Sequence, residues 1–257
     1  MNDREDRVEV RVHGAASLPT LIYLPGLHGD WTLIGGFRKA VAGQARFVEL
    51  TYPRTLTWSL EDYAAGIEEA LRENGITKGW LIGESYGSQL AWSLASRKRM
   101  RIQGIVLAGG FASHPTRWFV RAGAYVCGGL PLSLLTRVLF GYSRVARFRF
   151  LNNPETLKAI HEFVARRTEL DRQAAKHRLN LIAANDPGEL VRELDVPVFG
   201  LAGMFDPIVP WFFVRRWLQR HCASLREYRV IPRADHNVLS TAYKESAKQI
   251  LSWVSGV

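Results

Sequence analysis

Short apolar runs alternate with amphipathic segments along most of the chain. The apolar runs predict β-strands over residues 7–12, 20–24, 45–50, 79–82, 102–108, 196–202 and 226–231. Several of these runs, TLIYLP among them, are almost continuously apolar and end at Gly or Pro, which is typical of strands buried on both faces of a mostly parallel sheet. The intervening segments predict helices, the clearest over residues 59–73, 86–96 and 243–254. The pattern therefore predicts an α/β fold with helices on both faces of a mostly parallel central sheet.

The alternation stops between Phe111 and about Leu190. This part of the chain has no strand signals, and its helical segments are broken at Gly128, Pro131, 152–154 and Pro187. We expect a helical cap insertion over residues 112–190, between core segments 1–111 and 191–257. An insertion at the carboxyl edge of a parallel sheet would cover the crevice where such sheets bind ligands.

Length and composition fit one globular domain with an elaboration. The chain has 257 residues, of which 47% are hydrophobic and 23% charged, as in folded rather than disordered proteins. The first residues are charged and include no apolar stretch of the kind found in secretory signals, and the two cysteines, Cys127 and Cys222, are too few for a disulfide framework. We therefore expect a cytoplasmic protein. The apolar stretch 122–136 contains Gly and Pro and is flanked by arginines, which argues against a transmembrane helix.

The net charge of +10 is unevenly placed along the chain. Residues 85–154 contain no Asp or Glu, but they contain Arg97, Lys98, Arg99, Arg101, Arg117, Arg121, Arg137, Arg144, Arg147 and Arg149. This interval predicts a basic face, which is either a solvated surface or a surface for an acidic partner, substrate or membrane. No zinc-finger spacing, RNP-like strand or heptad array is present, so nucleic acid is not an expected partner.

The motif GESYG places Ser85 in a G-x-S-x-G pattern between Gly83 and Gly87. The apolar run before it predicts a strand and the segment after it predicts a helix, so Ser85 would lie in a strained strand-to-helix turn that requires small neighbours. Such a turn raises the hydroxyl into the crevice, close to the N-terminus of the following helix. Ser85 is therefore a candidate nucleophile, whereas the motif alone also fits an ordinary turn serine.

A serine nucleophile needs a general base and a carboxylate that orients the base. Asp206 follows the strand over 196–202, and His236 follows the strand over 226–231, which gives the chain order Ser, Asp, His. Taken singly, Asp206 fits a turn-forming residue and His236 an incidental loop histidine. Asp195 precedes its strand, and Asp235 would have to turn back onto its neighbour, so both are poorer candidates for the acid.

The loop YLPGLHGDW predicts an oxyanion hole. Its two glycines allow close backbone approach, and the expected donors are the backbone N–H groups of Leu27 and of Tyr86, the residue after the nucleophile. A plain strand-to-helix turn with Asp30 as N-cap is an alternative that is compatible with this role. His28 is better placed to shape the hole than to act as the base.

These motifs together resemble the α/β-hydrolase superfamily, specifically its capped serine esterase-like (carboxylesterase) members. The segments PGLHG, GESYG, FDPIVP and ADHNV occur in the family's order. Ser85 excludes the Asp nucleophile of haloalkane dehalogenases and epoxide hydrolases of this fold. Pro25 departs from the pattern, since many relatives have His there, and Glu84 stands where relatives vary. The resemblance implies cleavage of carboxylic esters through an acyl-enzyme, with no metal or organic cofactor.

Residues in the predicted cap bear on the substrate. Its apolar side chains predict an ester with an apolar acyl or alcohol part, or else they form the cap's own core; they are Trp118, Phe119, Tyr125, Leu130, Leu132, Leu134, Leu135, Leu139 and Phe140. The Arg-rich cap is similar to the caps of methyl-ester hydrolases that act on acyl chains carried by acidic acyl carrier protein. A carrier-dependent esterase or thioesterase is therefore an alternative, and a non-hydrolytic ligand-binding protein is another.

Overall fold

The computed structural model describes residues 7–129, 162 and 165–256. These residues form one seven-stranded sheet with the order β1-β3-β2-β4-β5-β6-β7. The strands are β1 Glu9–His13, β2 Thr20–Leu24, β3 Arg46–Thr51, β4 Lys78–Glu84, β5 Arg101–Ala108, β6 Val198–Gly203 and β7 Leu225–Ile231. Only β1 is antiparallel to its neighbour; the other pairs in the described sheet are parallel. The predicted mostly parallel sheet is confirmed, and each predicted strand is present with its ends displaced by no more than two residues.

Nine helices lie in the described part of the chain. They are α1 Gly35–Val41, α2 Leu60–Glu73, α3 Gly87–Arg97, α4 Arg117–Gly129, α5 Glu169–Ala184, α6 Gly188–Glu193, α7 Trp211–His221, α8 Val238–Thr241 and α9 Tyr243–Ser255. The predicted helices over 59–73, 86–96 and 243–254 correspond to α2, α3 and α9. The start of α2 is fixed by a capping box, in which Ser59 Oγ accepts from the Asp62 N–H and the Asp62 carboxylate accepts from the Ser59 N–H.

Helices cover both faces of the sheet because the strand side chains alternate between two apolar clusters. In β2, Ile22 and Leu24 join the cluster that contains α2 and α3, whereas Leu21 and Tyr23 join the cluster that contains α1 and α9. All five residues of β2 are buried, and so are all six of β6. The almost continuous apolar runs in the sequence are therefore strands covered on both sides.

The segment between β5 and β6 contains α4, α5 and α6, and α4 packs against α5. Two contacts place α5 at the carboxyl edge of the sheet, because Arg178 on α5 donates to the carbonyls of Leu27 and Pro53, just after β2 and β3. Pro187 directly precedes α6. The predicted breaks at Pro131 and at 152–154 lie outside the described residues, and the cap boundaries at 112 and 190 stay a prediction.

The described basic residues of the acid-free interval lie at different places in the fold, and two of them pair with acidic residues, so the basic face stays a prediction. Arg97 forms an ion pair with Glu68, at 2.8 Å between Nε and Oε2. Arg117 forms an ion pair with Asp186, at 2.8 Å between Nη2 and Oδ2. The acidic partners lie outside residues 85–154 and are brought in by the fold, so part of the charge is neutralised.

The remaining described cations of this interval lie at opposite ends of β5. Lys98, Arg99 and Arg101 lie where α3 ends and β5 begins, at the amino edge of the sheet. Arg121 lies on α4, after the carboxyl end of β5. The other members, Arg137, Arg144, Arg147 and Arg149, lie outside the described residues. Within the described ranges, no helix combines the length and the apolar character needed to cross a bilayer.

Candidate active site

Ser85 occupies a sharp turn between β4 and α3. Its φ of +51° is in the left-handed region, which is strained for a residue with a side chain. Two contacts hold this backbone, because the Ser85 N–H donates to the Ala108 carbonyl at 3.0 Å and Ser88 Oγ donates to the Ser85 carbonyl at 2.6 Å. Strain that is held by the surroundings is common at functional sites.

The two glycines beside Ser85 are required by close backbone contacts. A Cβ at Gly87 would lie 2.1 Å from the Leu24 carbonyl oxygen at the end of β2. A Cβ at Gly83 would lie 2.8 Å from the Cα of Ser88 in α3. Since backbone atoms cannot move aside as a flexible side chain can, larger residues at either position would displace the turn.

His236 lies in the loop after β7 and joins the two other predicted residues. Its Nε2 is 2.9 Å from Ser85 Oγ, and its Nδ1 is 2.8 Å from Asp206 Oδ2. A carboxylate only accepts hydrogen bonds, so Nδ1 carries the proton and Nε2 is left as the acceptor for the serine hydroxyl. The structure brings together three side chains that are separated by up to 151 residues in sequence.

Asp206 makes both the turn contacts and the imidazole contact that its position after β6 allows. Its Oδ1 accepts from the N–H groups of Ile208 and Val209 at 2.8 and 2.9 Å, as in an Asx turn, while Oδ2 accepts from His236. The Asp206 side chain is fully buried. The turn therefore fixes the carboxylate that orients the imidazole, and the turn-forming interpretation does not compete with the orienting one.

The other candidate residues lie elsewhere. Asp195 is exposed before the amino end of β6, at the opposite edge of the sheet. Asp235 is buried, and its Oδ1 accepts from the Asn237 N–H. Burial and the charges of Arg167 and Arg178 lower the pKa of His28 to about 4, so this imidazole is neutral at physiological pH. The imidazole that contacts Ser85 Oγ is that of His236.

The charges around His236 favour its protonated form, and burial opposes it. Burial alone would lower its pKa, but the hydrogen bond and charge of Asp206, with the charges of Glu84 and Asp235, outweigh burial and raise the pKa above its usual value of 6.5. Imidazolium formed next to Ser85 is thereby stabilised.

Glu84, for which the sequence indicated no role, is a buried carboxyl group beside the serine. Tyr23 from β2 donates to Glu84 Oε2 at 2.5 Å. Burial raises the pKa of Glu84, although the Tyr23 hydrogen bond acts in the opposite direction. Nothing local in the sequence predicts this pair, because the two residues are 61 positions apart and meet only through the pairing of β2 with β4.

The predicted oxyanion loop lies against Ser85. A Cβ at Gly26 would be 3.5 Å from the Ser85 Cβ, an ordinary van der Waals distance, so the loop lies close to the serine at this position. The Gly29 N–H donates to the Gly26 carbonyl at 2.9 Å and closes a turn that contains Leu27. Tyr86 immediately precedes α3, whose positive helix end lies beside Ser85. The donor roles of the Leu27 and Tyr86 N–H groups stay a prediction.

Asp30 does not cap the helix that follows the loop, so that expectation is wrong. The N-cap position of α1 is Ile34, without a capping side chain. Asp30 instead accepts from the Thr32 N–H at 3.0 Å and pairs with Arg167 at 2.6 Å. An ion pair to a residue 137 positions away leaves no pattern in the local sequence.

Sequence reasoning did not identify His114, which lies near the Asp206–His236 pair. Burial and the charge of His236 lower the pKa of His114 to about 4, and the His114 ring packs edge-on against Phe111 with centroids 4.8 Å apart.

Three of the apolar cap side chains predicted to bear on the substrate lie in the described residues. They are exposed rather than packed in a core: Trp118, Phe119 and Tyr125. The others lie outside the described residues.

A metal centre finds no support in the described ranges, where no three His, Cys, Asp or Glu side chains are grouped so as to hold an ion. The Ser85 hydroxyl lies next to an acceptor imidazole and a helix N-terminus, an arrangement that can activate a hydroxyl as a nucleophile.

Known proteins were compared with both the sequence and the fold. None of the curated proteins matches this sequence. Similar solved structures include an esterase from Thermogutta terrifontis, 20% identical over 97% of this chain and 93% of the other, with a TM-score of 0.76. An esterase from Exiguobacterium antarcticum is 14% identical over 96% and 95%, with a TM-score of 0.78. An enol-lactonase from Burkholderia xenovorans LB400 is 17% identical over 96% of each chain, with a TM-score of 0.78.

At these identities the structural likeness shows a shared fold. The sequence itself matches the alpha/beta hydrolase fold family over residues 51–243, a span that includes Ser85, Asp206 and His236. Since this match covers most of the sequence, the chain belongs to the α/β-hydrolase fold family.

Proposed function

We propose that this protein is a serine hydrolase that cleaves carboxylic esters through an acyl-enzyme. The observation that carries the proposal is the imidazole of His236, which lies 2.9 Å from Ser85 Oγ and 2.8 Å from Asp206 Oδ2. A nucleophile, a base and an orienting carboxylate within hydrogen-bonding distance form the arrangement that acyl transfer requires.

In the proposed reaction, Ser85 Oγ attacks the ester carbonyl carbon as His236 Nε2 takes the hydroxyl proton. The oxyanion that forms accepts from the N–H groups of Leu27 and Tyr86. His236 then protonates the leaving alkoxide, and Asp206 stabilises the imidazolium through Nδ1. Water attacks the acyl-enzyme with His236 as base, which releases the acid and restores Ser85. No step needs a cofactor.

Esters and lactones are the proposed substrate class. Solved neighbours are named as esterases or as an enol-lactonase, and both names denote cleavage of a carboxylic ester bond. Residues 112–190 are proposed to form the cap that selects among them, which is supported by the packing of α4 on α5 and by the position of α5 at the carboxyl edge. Exposed Trp118, Phe119 and Tyr125 on α4 favour an apolar acyl or alcohol part.

Active-site labelling and ester turnover test the proposal directly. A fluorophosphonate should label the protein, and peptide mapping should place the label on Ser85. p-Nitrophenyl esters of increasing chain length should be hydrolysed, with the highest kcat/KM at one range of chain length if the cap binds an apolar part. Absence of labelling and of turnover would instead favour a non-hydrolytic ligand-binding protein.

The carrier-dependent alternative has its own signature. Negligible rates on all simple esters, beside rapid turnover of an acyl-carrier methyl ester or thioester that falls steeply with salt, would replace the small-molecule proposal. The described basic residues do not favour this outcome, because they are divided between two edges of the sheet and some are already paired.

The Glu84→Gln variant should shift the acidic limb of the kcat/KM profile to lower pH. His236 acts as a base only when neutral, and its raised pKa places the wild-type limb above 6.5. The charge of Glu84 contributes to that increase, so removing the charge lowers the pKa of His236 and extends activity towards acid pH. Measuring kcat/KM from pH 4 to 9 checks this, and an unmoved limb contradicts it.

Tyr23→Phe is the matched variant for this experiment. The Tyr23 hydrogen bond lowers the pKa of Glu84, so its loss leaves Glu84 protonated up to a higher pH and removes the same charge over part of the range. We expect a smaller shift in the same direction. A shift to higher pH in either variant would contradict the electrostatic role of Glu84.

A further inference from the structure

Arg178 of α5 is a buried cation that is held without a carboxylate from the described residues. The residue is 1% exposed. Its guanidinium donates to three neutral oxygens, from Nη1 to the Leu27 carbonyl at 2.9 Å, from Nη2 to the Pro53 carbonyl at 2.9 Å, and from Nε to the Tyr63 hydroxyl at 3.3 Å. Burying a charge is costly unless such contacts are made, so the guanidinium has little freedom to leave this position.

Aromatic rings complete the surroundings of this guanidinium. The Arg178 Cζ lies 5.5 Å from the centroid of the Tyr52 ring and 5.7 Å from that of the Tyr63 ring. Both rings pack edge-on against Tyr86, the residue after Ser85. The charge thus lies between the two segments that supply the proposed oxyanion donors, the Leu27 loop and the turn at Tyr86.

The contact with Leu27 acts on the part of the loop that matters for catalysis. The carbonyl held by Arg178 and the N–H proposed as an oxyanion donor belong to the same residue, so fixing the carbonyl restricts rotation about the Leu27 backbone. Gly29 allows the guanidinium to approach, because a Cβ there would lie 2.5 Å from Nη1. The turn is therefore held by Arg178 near Gly29 and lies close to Ser85 at Gly26.

We propose that Arg178 is a positioning residue for the oxyanion hole, holding the Leu27 loop in the orientation that stabilises the transition state. This inference rests on the proposed hydrolysis at Ser85. It makes α5, which lies in the predicted cap, a support for the chemical step as well as a part of the substrate site.

The kinetic test compares Arg178→Lys with a control that also loosens α5. A lysine amine cannot reach three separated acceptors with fixed geometry, so the Leu27 turn becomes free to rotate. We expect kcat on a p-nitrophenyl ester to fall by about 10- to 100-fold with KM changed by less than about threefold, as for a misplaced catalytic group. The affinity for a boronic acid inhibitor should fall in parallel with kcat.

The matched control is Arg54→Met. Arg54 Nε pairs with Asp171 Oδ1 of α5 at 2.6 Å, and among the described residues it makes no hydrogen bond or ion pair to the Leu27 loop. If Arg178 acts only by attaching α5 to the sheet, the two variants should lose similar activity. We expect kcat of Arg54→Met to stay within about threefold of wild type, and equal losses in both variants would overturn the proposal.

Guanidinium rescue and amide exchange complete the design. In Arg178→Ala, added guanidinium chloride should restore part of kcat, an effect that a general loss of stability cannot produce; if this variant does not fold, Arg178→Lys decides. Hydrogen exchange of the backbone amides over residues 24–30 should be faster in Arg178→Lys than in wild type. If neither the exchange rate nor kcat changes in this variant, the Arg178 proposal is overturned.

A wild-type protein that hydrolyses no ester refutes the hydrolase proposal. In that case the exchange rates of the loop alone test whether Arg178 holds the Leu27 turn.

Discussion

Replacing Ser85 with alanine should abolish ester hydrolysis and fluorophosphonate labelling while leaving a folded protein. The proposed reaction has no other nucleophile, so kcat should fall by about 10⁶-fold or to the background of the assay. Among the described residues the Ser85 side chain makes one hydrogen bond, to His236, so its loss costs about 1 kcal/mol. We expect thermal unfolding to shift by no more than about 4 °C, as checked by circular dichroism.

Ser88→Ala is the matched control for this experiment. Ser88 Oγ contacts the carbonyls of Ser85 and Phe111, and both contacts are within the fold rather than with the imidazole. Its loss removes the Ser88 Oγ acceptor of the buried Phe111 N–H, 3.2 Å away, and should lower the free energy of unfolding by about 1–3 kcal/mol while labelling is retained. Turnover by Ser85→Ala would show that Ser85 is not the nucleophile. A folded Ser88→Ala protein that cannot be labelled would show that labelling depends on the turn that Ser88 holds, so that loss of labelling alone does not identify the nucleophile.

Asp206→Asn should reduce kcat by about 10⁴-fold, because an amide no longer selects the imidazole tautomer in which Nε2 accepts. The hydrogen bond and charge of Asp206 raise the pKa of His236, so the remaining activity should have its acidic limb at lower pH than wild type. The amide oxygen can still accept from the Ile208 and Val209 N–H groups, so this variant should keep the turn and its thermal stability. Profiles of kcat/KM against pH and thermal unfolding measure both effects.

Two further variants separate the functions of this carboxylate. Asp206→Ala removes the turn contacts as well and should be destabilised by about 1–3 kcal/mol relative to Asp206→Asn. Asp235→Asn changes the residue next to His236 in sequence. The Oδ1 of Asp235 accepts from the Asn237 N–H. The kcat of Asp235→Asn should change by much less than that of Asp206→Asn. Equal losses at Asp206 and Asp235 would overturn the assignment of the orienting acid.

The helices were predicted less completely than the strands, for reasons visible in their packing. Helix α7 buries Val214 and Leu218, which are spaced as on one helical face, but the exposed Phe212 and Phe213 beside them make the apolar pattern of the sequence less distinct. Helix α1 is short, begins with two glycines and has no capping side chain. Neither helix was among those that the sequence pattern predicted.

The basic interval illustrates how charge along the chain differs from charge on a surface. Absence of acidic residues over 85–154 predicts a basic face only if neighbours in sequence share a surface. Residues at the two ends of β5 lie on opposite edges of the sheet. Arg97 pairs with Glu68 on α2, which is 29 positions earlier in the chain. Charge along the chain therefore says little about charge on a face when strands cross the whole domain.

The sequence by itself determined the strands, the elbow around Ser85 and the order of the candidate triad. These features are local, because burial on both faces requires a continuous apolar run, and a strained turn between close backbones requires the glycines beside the serine. Only the tertiary structure decided that Glu84 meets Tyr23, that Asp30 pairs with Arg167 and that Arg178 holds the Leu27 loop. Each of these pairs forms because segments that are distant in sequence pack together, and the residues next to each partner in the chain contain no pattern that predicts the contact.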